Sequence, residues 1–367
     1  MRSTRAIIHI ERFCGNVKHI REKLGPAPII CAPVKADAYG HGAVPVARAA
    51  IDAGAGYLAV ATVEEGAELR SAGISAPVLV LSLPLPEELA DAVRLRLSLL
   101  LGDEDMVKEA AFAAEQAGEK LAVHLKIDTG MGRIGCLPEA ASTLAAYIAS
   151  FRSLVYAGTA THLSVADSRV PDDMCYTKKQ LSLFTQSIES IRAAGFDPGI
   201  VHAANSGAIL LHEDACFDMV RPGILLYGYS PVEHPPITVE PVMELITRIV
   251  LIKTMRGGDA VSYGRTWTVS EGTRVATIPV GYGDGLPRGL SGNFSVYIRR
   301  RFYPLAGRVC MDQCMVDLGN DTGVRRWDEV TIFGGNAHSA ADIAAKLHTI
   351  PYEITCNINK RVPRIYA

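Results

Sequence analysis

A lysine followed at short spacing by a tyrosine and two glycines is the first feature that suggests chemistry. Residues 34–42 read Val-Lys-Ala-Asp-Ala-Tyr-Gly-His-Gly and follow a short apolar run. Lys35 is therefore predicted to lie where a buried strand ends and a loop begins. An amine there can form a Schiff base with a carbonyl, Tyr39 adds a hydroxyl, and the glycines allow close backbone approach. A solvated surface lysine is the ordinary alternative.

Polar groups also follow four later apolar runs in the first two thirds of the chain. They are Lys126 with Asp128, Thr161 with His162, His202 with Asn205 and Ser206, and Arg221 with Gly223 and Ile224. A lysine amine, an arginine for a ring nitrogen, and a serine with nearby amides for a phosphate are what pyridoxal phosphate requires. Each group alone has an ordinary explanation, such as a core histidine or a helix cap. Together they suggest one cofactor site, provided that the fold brings them together.

Repeated strand and helix patterns predict the elements that would do this. Eight β-type runs alternate with alanine-rich helical stretches: 29–34, 57–61, 78–81, 97–100, 122–127, 154–160, 200–202 and 217–221. Nearly continuous apolar strands with intervening helices indicate a parallel sheet. Eight units predict a TIM (β/α)8 barrel, in which the polar groups fall at the strand ends that carry function. A doubly wound open sheet is the alternative.

The character of the chain changes after Tyr229. A proline-containing linker at 230–236 precedes shorter β-type runs at 244–253, 274–279, 295–298, 313–316 and 329–333, with one helix predicted at 340–348. The α/β barrel is therefore predicted to span residues 1–235, and a smaller, mostly-β C-terminal domain residues 236–367. The first ten residues contain a short strand that can pair with the second domain. In that domain Tyr263 lies in a tight turn, and Cys310 lies two residues before Asp312.

Composition excludes several classes of protein. The formal net charge is -2, so there is no basic field to attract nucleic acid or anionic lipid. The 8 cysteines are dispersed without a Cys-x-x-Cys pair, which favours reduced thiols over disulfides or a zinc site. Neither a signal-peptide pattern nor an apolar run of membrane-spanning length occurs. We therefore expect a cytoplasmic protein that binds no membrane.

Two motifs point to other functions but lack an essential part. Gly130-x-Gly132-x-x-Gly135 matches a dinucleotide fingerprint, yet no acidic residue lies between Glu139 and Asp167 to hold a ribose. A barrel metallohydrolase would need clustered ligands, and no His-x-His occurs. We therefore expect neither NAD nor a metal.

Nine motifs in order make the whole chain resemble the alanine racemase family, pyridoxal-phosphate enzymes with a barrel followed by a β domain. The motifs are residues 34–42, 126–133, 161–162, 202–206, 221–224, 261–264, 279–285, 307–313 and 361–364. The resemblance implies interconversion of L-alanine and D-alanine, with D-alanine supplied for peptidoglycan. It also implies a homodimer with shared active sites, in which Tyr263 of the partner subunit completes the site around Lys35.

The resemblance implies roles for single residues. Lys35 would hold the cofactor and act as the base on the D side, and Tyr263 would be the base on the L side. Removal of a proton from one face and return to the other calls for two such groups. The cofactor would contact Tyr39, His162, Ser206, Arg221, Gly223 and Ile224. The substrate carboxylate would meet Arg133 and the Met311 amide, and the passage to the site would be lined by Tyr282, Arg288 and Asp312.

The resemblance also bears on two further lysines. The family resemblance implies that Lys126 can be carbamylated and thereby position Arg133, a modification that the sequence neither supports nor opposes. At the position just before residues 361–363 well-known family members have a tyrosine that binds the phosphate, whereas this chain has Lys360. An ammonium can still meet a phosphate as a point charge.

Three alternatives stay open at this point. The nearest is a racemase of the same family that acts on serine or on several amino acids. A non-catalytic pyridoxal-phosphate protein is the alternative from another class, although a lone barrel would suffice for it. Amino acid decarboxylases share the two-domain plan, but their glycine-serine phosphate loop is absent from this sequence.

Overall fold

The computed structural model of the protein describes residues 2–367. Their contacts divide the chain into two compact units. The barrel unit comprises Phe13–Ala38 and Ala43–Glu240, and the β-rich unit comprises the N-terminal residues through Arg12, Tyr39–Gly42 and Pro241–Ala367. The predicted domains, 1–235 and 236–367, stay a prediction.

Eight parallel strands form the framework of the barrel unit. The first nine strands of the chain are β1 (Arg5–Ile8), β2 (Ile29–Pro33), β3 (Tyr57–Val60), β4 (Val78–Val80), β5 (Ser98–Leu101), β6 (Leu121–Lys126), β7 (Leu154–Ala160), β8 (Ile200–His202) and β9 (Met219–Val220). Strands β2 to β8 pair in sequence order and β9 pairs with β2. Backbone bonds from Asp218 to Val201 and from Arg221 to Ala204 join the two ends of this order. The barrel is therefore confirmed, and the doubly wound sheet is excluded.

Helices follow the barrel strands and cover them. They are α1 (Ile10–Leu24), α2 (Lys35–Gly40), α3 (Ala43–Asp52), α4 (Val63–Ser71), α5 (Leu89–Arg94), α6 (Glu104–Ala117), α7 (Ala141–Ser150), α8 (Pro171–Ala193) and α9 (Ser206–Leu211). Local chemistry sets their ends: Asp103 caps α6 by accepting from the Met106 amide at 2.8 Å, and Gly118 ends it in a left-handed conformation. Short 3-10 helices lie at Pro86–Glu88, Pro138–Ala140, Glu213–Ala215 and Ile224–Tyr227.

Apolar side chains from six of the eight strands pack together inside the barrel. This buried layer consists of Cys31, Ala59, Leu79, Leu100, Ala160 and Met219. Because a barrel interior is filled by such layers, it is a packed core and not a channel. The polar groups are thereby confined to the ends of the strands.

The second unit is a nine-stranded sheet with two further short strands. Its later strands are β10 (Met243–Arg248), β11 (Leu251–Thr254), β12 (Ala260–Val261), β13 (Trp267–Thr268), β14 (Arg274–Ile278), β15 (Ser295–Ile298), β16 (Arg301–Ala306), β17 (Cys314–Asp317), β18 (Glu329–Phe333) and β19 (Arg364–Tyr366). Strand β1 lies between β10 and β19. Helices α10 (Ala340–Leu347) and α11 (Pro351–Cys356) and 3-10 helices at Tyr263–Arg265, Tyr282–Asp284 and Arg288–Leu290 complete the unit. The predicted β-rich domain after the barrel is confirmed.

Three local predictions were wrong. The segment after Lys35 is the helical turn α2 and not a loop. The run predicted at 244–253 is two strands, β10 and β11, which pair with different neighbours. Helix α11 was missed, although Pro351 occupies its first turn, where proline is favoured.

Candidate active site

Lys35 begins a left-handed turn. The four residues after it, Ala36, Asp37, Ala38 and Tyr39, have φ between 51° and 54°. The left-handed conformation costs about 1–2 kcal/mol for each residue that has a Cβ. Four in succession therefore need specific contacts to hold them.

Two carboxylates provide such contacts. The Ala36 amide donates to Glu65 Oε1 at 2.6 Å, and the Ala61 amide donates to Glu65 Oε2 at 2.7 Å. Asp37 Oδ1 accepts from the Ala43 amide at 2.8 Å. Glu65 thus links Ala36, the residue after Lys35, to Ala61 at the end of β3. This link restricts where the half-buried lysine can lie.

Arg221 is a buried cation held by neutral acceptors. Its Nη1 donates to His202 Nδ1 at 2.5 Å, and its Nη2 donates to the carbonyls of Thr161 at 2.8 Å and Ala203 at 3.0 Å. Burial lowers the pKa of Arg221 to about 10, so the guanidinium stays charged at neutral pH. Among the described residues no carboxylate forms an ion pair with it.

A chain of two neutral histidines extends from Arg221 into the barrel. A guanidinium only donates, so His202 accepts at Nδ1 and carries its proton on Nε2, which donates to His124 Nδ1 at 3.0 Å. Burial first and Arg221 second lower the pKa of His124 to about 4 and that of His202 well below its ordinary value. The histidines therefore add no charge and orient the guanidinium.

Positive charge surrounds His162 at the carboxyl ends of the strands. Burial first, and then Arg221, Arg133, Lys126 and Lys35 in decreasing order, together lower the pKa of this imidazole to about 3. His162 is therefore neutral, and it lies within the influence of four cations that come from three βα units. Such a concentration of positive charge is suited to anionic ligands.

Lys126 and Arg133 belong to this group. Lys126 Nζ donates to the carbonyls of Ile127 at 2.8 Å and Ile134 at 3.3 Å. Burial first and Arg221 second lower the pKa of Lys126 to about 8. Asp128 accepts from the amides of Gly130 and Gly132, each at 3.0 Å, and so shapes the loop that presents Arg133 to solvent.

A cluster of donors lies beside these cations. Asn205, not Ser206, caps α9 by accepting from the Ala208 amide at 3.1 Å, so the Ser206 hydroxyl is not used as the cap. Ser206 Oγ accepts only a long bond, 3.4 Å, from the Leu225 amide. The amides of Gly223 and Ile224 donate to no acceptor within residues 2–367. A buried amide without an acceptor is rare in proteins, and this cluster is suited to an anion.

The remaining predicted residues belong to the β-rich unit. The ring of Tyr39 is buried, with its centroid 5.8 Å from that of Tyr352. Lys360 is exposed. Tyr263 and Met311 are 71% and 53% exposed, and with Asp312 they line a surface cavity of about 600 Å³.

A buried carboxylate organises the segment around Asp312. Asp284 accepts from Arg361 Nε at 2.7 Å, and Arg361 Nη1 contacts Asp312 Oδ1 at 2.9 Å. Arg361 also donates to the Met311 carbonyl at 3.3 Å. Tyr282 and Arg288 are exposed in nearby 3-10 turns, so these residues form a polar surface within this unit.

Sequence reasoning did not find two residues that shape the backbone beside the predicted bases. Glu65 completes a Thr-x-x-Glu pattern with Thr62, which marks a helix start but does not reveal its contact with Ala36. Ser262 precedes Tyr263 with φ 68° and ψ -177°, a conformation that no sequence signal predicts for serine.

Fold and site together define a barrel enzyme with an appended β-rich unit and a cation-rich site for an anionic ligand. The chain matches the family descriptions "Alanine racemase, N-terminal domain" over residues 8–231 and "Alanine racemase, C-terminal domain" over residues 242–366. It is 50% identical to an alanine racemase of Treponema denticola, covering 100% of this chain and 98% of that protein.

Solved structures agree. An alanine racemase of Clostridium difficile 630 superimposes with a TM-score of 0.95 at 35% identity, covering 100% of this chain and 96% of that chain. An alanine racemase from Bacillus anthracis, described with bound L-Ala-P, superimposes with a TM-score of 0.93 at 35% identity, covering 100% of this chain and 95% of that chain. The chain belongs to the alanine racemase family and is therefore an isomerase.

Proposed function

We propose that this chain interconverts L-alanine and D-alanine with pyridoxal phosphate, the cofactor of its family. The observation that carries the proposal is the set of cations around His162: Lys35, Lys126, Arg133 and Arg221 all act on one imidazole. A phosphate and a substrate carboxylate both require positive charge, and a lysine amine among the cations offers a nucleophile.

The donor set fits this cofactor in its details. Arg221 Nε–H has no acceptor among the described residues, although both terminal nitrogens are engaged. It is the donor that a pyridine nitrogen needs. The unpaired amides of Gly223 and Ile224 and the hydroxyl of Ser206 supply neighbouring donors for a phosphate.

We assign the residues as follows. Lys35 holds the cofactor through Nζ, Arg221 donates to the ring nitrogen, and His162 lies beside the ring. The phosphate is bound by Tyr39, Ser206, Gly223 and Ile224, with Lys360 as a further point charge.

Two bases on opposite faces then invert the α carbon. When bound, pyridoxal phosphate acidifies the α C–H by delocalising the charge that the departing proton leaves behind. From L-alanine, Tyr263 Oη accepts the α proton and Lys35 Nζ donates one to the opposite face. From D-alanine the roles reverse, and exchange with solvent restores both groups.

Arg221 limits the reaction to proton transfer. Its pKa, which burial lowers only to about 10, lies far above that of a pyridine nitrogen. Arg221 therefore donates a hydrogen bond without surrendering its proton. An unprotonated ring nitrogen withdraws less charge, which favours return of the proton over side reactions such as transamination.

The substrate carboxylate is held by Arg133 and the Met311 amide, and Tyr282, Arg288 and Asp312 line the passage to the site. Lys126 is a site for carbamylation, because only a neutral amine attacks CO₂ and the pKa of Lys126 is lowered to about 8 by burial and Arg221. The product, a carbamate plus a released proton, would supply Arg133 with an anionic partner.

The active form is a homodimer with shared sites. The exposure of Tyr263 and Met311, 71% and 53%, supports this proposal, because side chains that handle protons and a carboxylate need cover from water. None of the helices in residues 2–367 combines the length and apolarity needed to cross a bilayer. We place the protein in the cytoplasm, since its 8 thiols are all free and suit a reducing compartment, and assign its D-alanine to peptidoglycan.

The decisive experiment is a racemisation assay of the purified chain with added pyridoxal phosphate. Equal amounts of L-alanine, L-serine and other L-amino acids are offered separately, and the D-isomers are measured by chiral chromatography. We expect kcat/KM to be highest for alanine. Faster turnover of serine would show that serine, and not alanine, is the preferred substrate. Cofactor binding without racemisation would support a non-catalytic protein.

A further inference from the structure

Tyr263 lacks the side-chain contacts that normally orient a catalytic group. The residue is 71% exposed, and its hydroxyl forms no hydrogen bond within residues 2–367. Side-chain packing therefore does not determine where the phenol points. Within one chain, it is the backbone on either side of Tyr263 that sets the direction of its side chain.

The backbone at this point is strained. Ser262 has φ 68° and ψ -177°, a region that only glycine adopts readily. Gly264 follows Tyr263 with φ 72°. A residue with a Cβ keeps such a conformation only when surrounding contacts impose it, and strain of this kind concentrates at functional sites.

The hydroxyl of Ser262 supplies the contact. Ser262 Oγ donates to the Arg308 carbonyl at 2.7 Å and lies 3.4 Å from Cys310 Sγ. Residues 308–310 run directly into Met311. One hydrogen bond therefore ties the turn that carries Tyr263 to the loop that carries the Met311 amide.

Gly307 makes this approach sterically possible. A Cβ at position 307 would lie 2.5 Å from the Val261 carbonyl oxygen and 2.8 Å from the Ser262 Cβ. The glycine has φ 73°, so both its conformation and the space around it exclude a side chain. The two segments meet closely at the residue before Tyr263.

We propose that Ser262 is a positioning residue for Tyr263: its strained backbone aims the phenol, and its hydroxyl sets the spacing between that phenol and the Met311 amide. The proposal rests on the proposed function, in which these two groups act on the α proton and the carboxylate of one substrate. Ser262 itself touches neither.

The test compares Ser262→Ala and Ser262→Gly with Ser270→Ala, a control at an exposed serine of the same unit. Alanine keeps the Cβ that strains the backbone and loses the hydroxyl, whereas glycine relieves the strain and loses the hydroxyl. We expect Ser262→Ala to melt about 2–4 °C below Ser262→Gly. The racemisation rate of Ser262→Ala should fall about 10–100-fold, the range that a misplaced catalytic group produces.

Hydrogen exchange separates positioning from a general loss of structure. In D₂O, Lys35 can remove the α proton of D-alanine and return a deuteron to the same face without Tyr263. We expect this exchange, measured by mass spectrometry of recovered D-alanine, to stay within about twofold of wild type. The ratio of exchange to racemisation should therefore rise at least about fivefold in Ser262→Ala.

Three outcomes would overturn the assignment: racemisation in Ser262→Ala equal to that of Ser270→Ala, an equal fall in exchange and racemisation, or an inverted order of melting temperatures. If Ser262→Ala does not fold, Ser262→Gly must itself show the raised ratio. Absence of racemisation in the wild-type chain would instead reject the proposed function.

Discussion

The two proposed bases lie in opposite environments but adjoin backbone of the same unusual kind. Lys35 is half-buried and is followed by four residues with φ between 51° and 54°. Tyr263 is 71% exposed and lies between Ser262 and Gly264, with φ of 68° and 72°. Left-handed backbone therefore accompanies both groups, although they come from different units and different kinds of turn.

The means of holding each turn differs. Beside Lys35 a carboxylate, Glu65, accepts hydrogen bonds from two backbone amides. Beside Tyr263 a neutral hydroxyl, that of Ser262, donates one bond to a carbonyl. The comparison indicates that contacts within the barrel restrict the turn of the lysine, whereas the tyrosine is aimed by the backbone of its own turn.

Removal of either base gives the largest expected effect. Tyr263→Phe should lower racemisation at least about 10³-fold, since one face of the α carbon loses its proton acceptor, while cofactor absorbance survives dialysis. Lys35→Ala should lose both racemisation and the cofactor absorbance, because the lysine amine also attaches the cofactor. A near-normal rate in Tyr263→Phe, or full-strength visible absorbance in dialysed Lys35→Ala, would contradict the assignment.

Mixing the two inactive variants tests whether the tyrosine acts in the partner's site. Random exchange of subunits makes half of the dimers hybrids, each with one intact site, so about a quarter of wild-type activity should return. Native mass spectrometry counts the hybrids. If hybrids form and activity stays absent, the shared-site model is wrong.

A change at Glu65 weakens the support beside Lys35 without touching the lysine. Glu65→Gln turns one acceptor into a donor that faces a backbone amide, which should cost about 1–3 kcal/mol of unfolding free energy in urea. We also expect racemisation to fall about tenfold from loss of positioning. Exposed Glu64→Gln is the matched control, and equal behaviour of the two variants would remove Glu65 from the site.

The smallest expected effect concerns acid stability. His124 has a pKa lowered to about 4 by burial and Arg221, so below about pH 6.5 the unfolded chain binds a proton that the native chain does not. The neutral, buried His124 therefore contributes to the free energy of unfolding above pH 6.5, and this contribution is lost as the pH falls towards 4. The loss amounts to about 2 kcal/mol between pH 7 and pH 5.

His124→Gln keeps an acceptor for His202 and should reduce this pH dependence of urea unfolding by that amount. Replacement of exposed His234 by glutamine is the matched control. If the free energy of unfolding changes with pH identically in wild type and His124→Gln, His124 does not stay neutral in the native chain.

Much of the fold was predictable because its signals are local. Strand β7, Leu154–Ala160, and strand β8, Ile200–His202, match the predicted runs, since apolar residues between helical patterns mark a buried parallel strand. The element α11 was missed because six residues beginning with proline carry too little periodicity to identify a helix. The assigned roles of the site residues stay predictions that the proposed experiments test.

The sequence by itself determined the order of the barrel units, the β-rich region after them and the family, because periodicity and ordered motifs are properties of neighbouring residues. Only the tertiary structure decided which groups meet. The contacts of Arg221 with His202 and of Glu65 with Ala36, and the positive φ of Ser262, depend on residues that lie far apart in the chain. Nothing in local propensity encodes such distances, since they arise when the strands close into a barrel and two loops pack against each other.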